Sequence, residues 1–386
     1  LMNSNYNPDH SLVALVKCKD YNYPAVKQAV RQGLELIGFS DLFKAGEKIV
    51  LKPNLLAADP PEKCVTTHPS VFRAAAEILQ ETVVILSFGD SPAMSSTERA
   101  ARKAGLLDVA EELGLARADF KNGQEALLPD GRQVTRFTLA RGVMESDGLV
   151  SLPKFKTHAL TTITGAIKNQ FGCIPGTLKG EFHVKLPLPD SFAAMLVDLN
   201  RLIKPRLFIM DAIMAMDGNG PRRGRPFPMG VLLFSTDPVA MDATACRLIG
   251  LKPEAVTIIK LGELNGLGNF EAGKIDILGD FDARKDFIHS VRVSMPVTMP
   301  FKGKWLQNHL TPRPQIDPDL CLKCGVCIQM CPVKPPAVDW HNGKDMPPVH
   351  KYNHCIRCYC CQELCPEGAI KPYTPFIGRL LRKPQS

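Results

Sequence analysis

The sequence lacks the features that mark membrane-spanning chains and proteins that bind single-stranded nucleic acid. None of its apolar runs approaches the roughly 18 residues that a transmembrane helix needs. Aromatic residues make up only 7% of the 386 residues, which leaves little material for base-stacking platforms. The first residues show no charged stretch followed by a secretory apolar core. We therefore expect a cytoplasmic protein without a transmembrane segment.

The sequence also lacks a dense block of positive charge, although its net charge is +8. A positive surface attracts nucleic acid, an anionic substrate or an acidic redox partner. Without a basic block or stacking aromatics, the nucleic-acid alternative ranks last. The basic segment 379–383 is interpreted as a solvated end of the chain rather than a membrane contact. The charge itself decides little, and the expected partners are a small anionic substrate and a redox partner protein or reductase.

Nucleotide-binding fingerprints are missing as well. The glycine-rich segment 218–224 follows neither the Walker pattern nor the dinucleotide pattern. The sequence therefore predicts neither ATP nor NAD as a ligand.

Cysteine, by contrast, is abundant and regularly spaced. Eight of the thirteen cysteines form two copies of the run C-x2-C-x2-C-x3-C-P, in residues 321–332 and 355–366. This spacing is typical of bacterial domains that hold two [4Fe–4S] clusters, in which the fourth cysteine of each run binds the other cluster. We therefore predict an electron-carrying domain. One cluster is expected on Cys321, Cys324, Cys327 and Cys365, and the second on Cys355, Cys358, Cys361 and Cys331.

Structural zinc is the alternative for paired C-x2-C motifs, but four thiolates for one zinc ion leave the third cysteine of each run unexplained. Cys360 is adjacent to a predicted ligand but out of register, and we interpret it as a thiol that packs near a cluster. The scattered Cys18, Cys64, Cys173 and Cys246 are expected to be small buried hydrophobic residues.

The C-terminal segment resembles the bacterial dicluster ferredoxins over about residues 316 to 372, including the sequence PEGAI at 366–370. Between Cys331 and Cys355 this chain carries a longer, proline-rich connection that contains Trp340. Such an insertion either covers a cluster, forms a docking surface or is a tolerated surface loop.

The first three quarters of the chain alternate short apolar runs with helical patterns, which predicts an α/β domain. Continuous apolar strands favour a mostly parallel sheet covered by helices on both faces. Apolar residues alternate over 291–299, which predicts a strand. Pro296 cannot donate a hydrogen bond to a neighbouring strand, so we expect this strand at an edge of the sheet. The predicted strands are 12–16, 48–54, 83–88, 148–152, 206–211 and 231–235. The predicted helices are 25–37, 70–80, 97–113, 162–171, 191–203 and 238–249.

Polar side chains follow the predicted strands, where the ligands of open α/β sheets bind. We expect them to converge on one crevice. Lysine and arginine side chains in this set would attract a carboxylate or a phosphate. The candidate substrate-binding residues are Lys52, Asn54, Asp90, Asn169, Asp217, Arg222, Arg223 and Arg225. The candidate catalytic residues are Lys154, Lys156, His158 and Lys168.

Two further roles are open at this stage. Aspartates at the strand ends, namely Asp90, Asp211, Asp217 and Asp242, would suit Mg²⁺ with a phosphorylated ligand, although roles as helix caps and turn residues explain them better. His158 would suit proton transfer near its ordinary pKa of about 6.5, or a purely structural role. A flavin would convert one-electron into two-electron chemistry, but no motif predicts one.

The larger domain resembles the "domain of unknown function 362" family. The resemblance is carried by segments 52–54, 89–92, 153–158, 164–169 with Gly172 and Cys173, 217–221 and 237–242. It implies an α/β domain that is often joined to a dicluster ferredoxin module, particularly in anaerobes, and it implies no reaction. The predicted organisation is an α/β domain at 1–299, a linker at 300–315, a dicluster domain at 316–375 and a basic tail at 376–386.

The sequence favours an oxygen-sensitive oxidoreductase that passes electrons between two [4Fe–4S] clusters and a small anionic substrate in the crevice. Fusing donor and acceptor domains makes their encounter intramolecular. The candidate lysines and His158 would position the substrate and stabilise or protonate the reduced species, and the arginines of 222–225 would close over it. The alternative is an electron-transfer or ligand-sensing protein without chemistry of its own.

Overall fold

The computed structural model describes residues 9–93, 95–279, 282–284, 286–289, 304–341 and 343–380. The predicted edge strand at 291–299 lies outside these ranges, as do 300–303 of the predicted linker and 381–386 of the predicted tail. In the described ranges, no helix combines the length and the apolar character that crossing a bilayer requires.

The first half of the chain alternates strands and helices as its apolar pattern predicts. Its elements are β1 (Ser11–Lys17), α1 (Tyr23–Leu36), β2 (Lys48–Pro53), α2 (Pro69–Gln80), β3 (Ile85–Phe88), α3 (Thr97–Lys103), α4 (Leu106–Glu112), β4 (Ala116–Arg117), β5 (Gly123–Leu127), β6 (Arg136–Ala140), α5 (Arg141–Met144) and β7 (Gly148–Leu152).

The second part of the α/β domain contains longer strands and most of the site. Its elements are β8 (Lys154–His158), β9 (Thr162–Thr164), α6 (Ala166–Asn169), α7 (Leu178–Lys185), α8 (Pro189–Ile203), β10 (Leu207–Asp217), β11 (Arg225–Ser235), α9 (Pro238–Leu248), α10 (Thr257–Leu264) and β12 (Ile275–Leu278).

The C-terminal part, which we call the cysteine-rich domain, consists of short elements. They are α11 (Lys304–Leu310), β13 (Arg313–Ile316), α12 (Val326–Gln329), β14 (Val338–Asp339), β15 (Val349–His350), α13 (Cys360–Leu364), β16 (Ile370–Tyr373) and α14 (Phe376–Leu380). The segment predicted as a linker therefore contains α11 and most of β13. Strand β13 is ordered because it pairs antiparallel with β16, which brings the two ends of this domain together.

The central sheet is mostly parallel, as predicted. Its strand order over the described residues is β12-β1-β11-β10-β7-β2-β3-β4, with β8 beside β10 and β9 beside β8. Only β11 runs antiparallel to its neighbours in the main path, because β10 and β11 form a hairpin. The buried faces of the strands pack against helices on both sides, in two large apolar clusters.

Two predicted helices differ from the structure. The helix predicted at 97–113 is divided into α3 and α4 because Gly105 adopts a left-handed backbone conformation with φ of 70°. The helix predicted at 162–171 begins only at Ala166, since Thr162–Thr164 pairs with β8 instead. The carboxylate of Asp242 accepts hydrogen bonds from the backbone N–H groups of Ala166 and Ile167 and so fixes this start.

A buried ion pair holds β8 against β10. Lys154 Nζ lies 2.8 Å from Asp211 Oδ2 and donates to Tyr21 Oη at 2.6 Å, and both charged side chains are almost fully buried. Removing one partner of a buried pair leaves the other charge without compensation.

We expect Asp211→Ala to lower the free energy of unfolding by about 3–5 kcal/mol, because Lys154 would keep its buried charge. Chemical denaturation of anaerobically purified protein, followed by circular dichroism, measures the loss. The control is Glu125→Ala, whose partner Arg136 is exposed, and which should cost no more than about 1 kcal/mol. The double variant Lys154→Met, Asp211→Leu should recover much of the loss. Equal effects of the two single substitutions would contradict this account.

Candidate functional site

A cavity of about 570 Å³ lies between the α/β domain and the cysteine-rich domain. We call it the interdomain cavity. One wall is built from Asn54 after β2, Asp90 after β3 and Lys156 within β8. The opposite wall is the cysteine-rich domain, including Cys331 and Glu363. The volume is within the range of about 300–1,000 Å³ that is typical of small-molecule sites.

Lys156 projects from β8 into this cavity and is almost fully buried. Its Nζ donates to Asn54 Oδ1 at 2.7 Å and to the backbone carbonyl of Val65 at 2.6 Å. Burial lowers the pKa of Lys156 to about 7, opposed by the nearby carboxylate of Glu363. Lys156 therefore gains or loses its proton near neutral pH.

Lys168 lies at the end of α6 and also lines the cavity. Its ammonium is 5.1 Å from the centre of the Phe171 ring, and within the described residues it makes no hydrogen bond or ion pair. Burial lowers the pKa of Lys168, and Glu363 partly compensates. A cation in this position is available to an anionic ligand.

A buried ion pair supports the floor of the cavity. Lys52 Nζ lies 3.0 Å from Asp90 Oδ1, and it donates to Asn169 Oδ1 at 3.3 Å. The other carboxylate oxygen of Asp90 accepts from the backbone N–H of Leu55 at 2.7 Å. Gly172 leaves the space that this pair occupies, since a Cβ atom there would overlap the Asp90 carboxylate. Asn169 also accepts from Asn54 Nδ2 at 3.2 Å, which links the pair to Lys156.

The cavity lining also includes polar side chains that the sequence analysis did not select as site residues, among them Lys179, Glu363 and Cys360. Lys179 donates at 2.9 Å to the backbone carbonyls of Ser91 and Ile174, and burial lowers its pKa to about 8. Glu363 and Cys360 line the opposite wall. The sequence analysis did not select Lys179, because it considered residues that follow strands and Lys179 belongs to a helix. Glu363 was not selected because it lies inside the second cysteine run, where only the cysteines were considered. For Cys360, the sequence offered only its position next to a predicted cluster ligand.

His158 joins β8 to the cysteine-rich domain. Its Nδ1 accepts from the backbone N–H groups of Leu160 and Thr161, so the ring proton belongs on Nε2. Nε2 lies 3.7 Å from Glu363 Oε2. Burial lowers the pKa of His158 well below its ordinary value, which keeps the ring neutral.

The remaining predicted residues lie away from the cavity. Lys154 is held by Asp211, and Arg225 pairs with both carboxylate oxygens of Asp217. Arg222 donates to Asp59 Oδ2 at 2.7 Å and to the carbonyl of Leu364 at 3.1 Å, so it bridges the two domains.

Arg223 also lies at the domain interface, because its side chain packs against Gly368, where a Cβ atom would come within 2.9 Å of Arg223 Cβ. The four aspartates considered for Mg²⁺ already have partners in the protein. Asp90 pairs with Lys52, Asp211 with Lys154 and Asp217 with Arg225, and Asp242 accepts from the backbone N–H of Ala166.

The eight regularly spaced cysteines surround two separate small cavities. One is lined by Cys321, Cys324, Cys327 and Cys365, and the other by Cys331, Cys355, Cys358 and Cys361. These groups match the two ligand sets expected from the spacing. Across the described ranges, no three histidine, cysteine, aspartate or glutamate side chains are placed to hold a single metal ion. Two spaces, each ringed by four cysteines, suit a cube-shaped cluster better than one zinc ion.

Backbone N–H groups point at the sulfur atoms of the second set. Ala337 N–H donates to Cys331 Sγ at 3.3 Å, and Arg357 N–H donates to Cys355 Sγ at 3.4 Å. Hydrogen bonds of this kind help to set cluster potentials. Ala337 belongs to the inserted connection, so this insertion covers part of the second cluster space.

Cys360 lines the interdomain cavity and neither of the two cysteine-ringed spaces. The other cysteines, Cys18, Cys64, Cys173 and Cys246, are buried as expected.

The fold and the site define an α/β protein joined to an iron–sulfur electron-transfer domain. Residues 49–247 match the family model of the domain of unknown function DUF362, and residues 313–366 match that of the 4Fe-4S dicluster domain. The chain belongs to the domain of unknown function 362 family, and its C-terminal domain binds iron–sulfur clusters.

Two proteins of similar sequence extend this comparison, one over most of the chain and one over the cysteine-rich region. The chain is 34% identical over 257 residues to the thylakoid-associated protein sll1697 of Synechocystis sp., covering 66% of this chain and 79% of that protein. The cysteine-rich region is 27% identical over 68 residues to chloroplastic NAD(P)H-quinone oxidoreductase subunit I of Phoenix dactylifera, covering 18% of this chain and 42% of that subunit.

Among solved structures, the lactate racemase apoprotein of Thermoanaerobacterium thermosaccharolyticum aligns with a TM-score of 0.40 and 13% identity. The alignment covers 63% of this chain and 58% of that chain.

We expect the affinity of the cavity for sulfate, an anion of constant charge, to fall as the pH rises from about 6 to 9. Lys156 and Lys179, with pKa values of about 7 and 8, lose their protons over this range. Isothermal titration calorimetry of anaerobic protein at several pH values measures the affinity. Lys156→Met should remove the part of the change near pH 7, whereas Lys103→Ala, on the exposed end of α3, should keep the whole profile. An affinity independent of pH would contradict this assignment.

Proposed function

We propose that this protein is an iron–sulfur oxidoreductase that exchanges electrons with a small anion bound in the interdomain cavity. One observation carries the proposal: Cys331, an expected ligand of the second cluster, lines the same cavity as Lys156 and Lys168. A ligand held by the lysines would therefore be close to an electron donor.

The two expected clusters differ in their position relative to solvent and cavity. Cys324 of the first set is exposed, whereas Cys331 of the second set is buried against the cavity. We assign the first cluster, on Cys321, Cys324, Cys327 and Cys365, to exchange with a redox partner protein. The second, on Cys331, Cys355, Cys358 and Cys361, would exchange electrons with the cavity ligand. The exposure of Cys324 also supports an oxygen-sensitive protein.

The lysines supply charge and protons in this proposal. Lys168 would neutralise the ligand's negative charge because its ammonium has no acceptor in the described part of the chain. Lys156, with a pKa of about 7, would donate a proton to the reduced ligand. Asn54, Asn169, Asp90 and Lys52 would hold Lys156 in place through their hydrogen-bond chain. His158 would orient Glu363 across the domain interface.

The remaining candidates receive structural roles. Lys154 and Asp217 stabilise the ends of β8 and β10 through Asp211 and Arg225, respectively. Arg222 and Arg223 would hold the two domains together instead of closing over the ligand. The cytoplasmic location remains a prediction.

We expect Lys168→Ala to slow electron transfer to the cavity ligand by at least about tenfold, because the ligand's charge would lose its free cation. Reduced, desalted protein is mixed anaerobically with a protein-free small-molecule extract of the cells from which it is purified. Reoxidation of the clusters is followed by visible absorbance, and consumed and formed compounds are identified by mass spectrometry.

The control for this experiment is Lys103→Ala, which removes an exposed lysine of the α/β domain that does not line the cavity. It should react at the wild-type rate. Cluster reoxidation at equal rates in Lys168→Ala and the wild type would show that the site is wrong. A shift in cluster potential without any product would instead favour the ligand-sensing alternative.

A further inference from the structure

We infer that the ligand of the interdomain cavity is a conjugated two-electron carrier with a phosphate or carboxylate group, for which flavin mononucleotide is a suitable probe. The inference rests on the proposed function and names the class of ligand for that site. Three features of the cavity carry it: its charge, its apolar walls and the number of electrons that the adjoining domain can deliver.

The charge of the lining requires an anion with more than one negative charge. Five lysines and three carboxyl groups line the cavity, the lysines being Lys156, Lys168, Lys179, Lys185 and Lys334. The carboxylate of Asp90 is already paired with Lys52, and Glu181 with Lys185. In the described lining this leaves Glu363 as the one carboxylate against the four lysines Lys156, Lys168, Lys179 and Lys334. Lys168 keeps no acceptor within the described chain. A phosphate monoester or an equivalent acidic group would balance this excess of cations.

The apolar part of the lining requires that the ligand also has a large uncharged part. Leu55, Leu56 and Phe171 contribute from the α/β domain, and Met330, Pro332 and Leu364 from the cysteine-rich domain. A bare inorganic anion would leave these surfaces in contact with water, whereas a flat apolar ring system would cover them. The cavity volume of about 570 Å³ accommodates a molecule of cofactor size.

The electron count selects a conjugated ring over a saturated body. Two [4Fe–4S] clusters deliver one electron each. A saturated phosphate or carboxylate has no low-lying orbital that accepts single electrons from such clusters, whereas a flavin or a quinone accepts two electrons in succession.

The reaction balances without another reactant. Two reduced clusters return to their oxidised state, and the flavin takes up two electrons and one proton to become the anionic hydroquinone. Lys156 is placed to give that proton, and solvent restores it.

The experiment compares ligands that separate the ring from the anionic group. Binding of flavin mononucleotide, riboflavin and ribose 5-phosphate to the complete, anaerobically purified protein is measured by equilibrium dialysis. We expect flavin mononucleotide to bind at least about tenfold more tightly than either riboflavin or ribose 5-phosphate, since each of these lacks one of the two recognised parts. Anthraquinone-2-carboxylate forms a further arm, and tighter binding of this compound than of flavin mononucleotide would assign a quinone as the carrier.

Two variants and one redox measurement decide between cavity binding and binding elsewhere. Lys168→Met should weaken flavin mononucleotide binding by about tenfold, and Lys103→Ala should leave it unchanged. Fully reduced, desalted protein should reduce one flavin mononucleotide per chain in a single turnover.

Several outcomes would overturn the inference. One is binding of both ring compounds no tighter than that of ribose 5-phosphate, and another is flavin binding that is insensitive to Lys168→Met. If ribose 5-phosphate alone binds, and Lys168→Met abolishes this binding, the inference fails while the anion site of the proposed function stands. If no anion binds in a manner that depends on Lys168, the proposed function fails as well.

Discussion

The docking of helix α13 onto the carboxyl ends of the sheet strands is the constraint on which the site depends. Arg222 fixes this arrangement, since its guanidinium bridges Asp59 of the α/β domain and the Leu364 carbonyl of α13. Gln362 adds hydrogen bonds to Asn219 and to the Gly220 carbonyl. Gly368 allows Arg223 to approach the backbone closely. Without this contact the cavity would lose one wall, and Cys331 would no longer face the lysines.

The buried lysines fall into two groups that differ in how their charge is compensated. Burying an ammonium group is unfavourable unless it is paired or hydrogen-bonded. Lys52 and Lys154 each face an aspartate at 3.0 Å or less, so they can stay buried at little net penalty. Lys156 has two neutral oxygen acceptors and no paired carboxylate within ion-pair distance in the described residues, and its pKa falls to about 7. An anionic ligand would restore the missing opposite charge. The two kinds of lysine therefore occupy neighbouring positions but differ in whether a carboxylate compensates their charge.

Sequence reasoning anticipated that polar residues near strand ends meet in one cavity. Asn54, Asp90 and Lys156 meet because the carboxyl ends of parallel strands share one edge of the sheet. The same rule could not separate Lys154 from Lys156, because the partner of Lys154 comes from β10, and the pairing of β8 with β10 shifts register between the two lysines. The sequence analysis did not predict the short strand Thr162–Thr164. This strand and the four-residue helix α6 follow each other within ten residues, and the apolar residues of both together have the spacing of one helix. The arginines of the 218–225 loop contact the other domain, and a single sequence carries no signal for contacts between domains.

The central claim is that the second cluster forms part of the wall of the lysine-lined cavity, and iron positions test it most directly. Anomalous diffraction at the iron edge from anaerobically grown crystals locates both clusters. The account predicts one iron peak among Cys331, Cys355, Cys358 and Cys361, beside the cavity with Lys156 and Lys168, and another among Cys321, Cys324, Cys327 and Cys365 on the solvent side. A cysteine-rich domain that lies away from the strand ends, or a single iron site remote from Cys331, would contradict it.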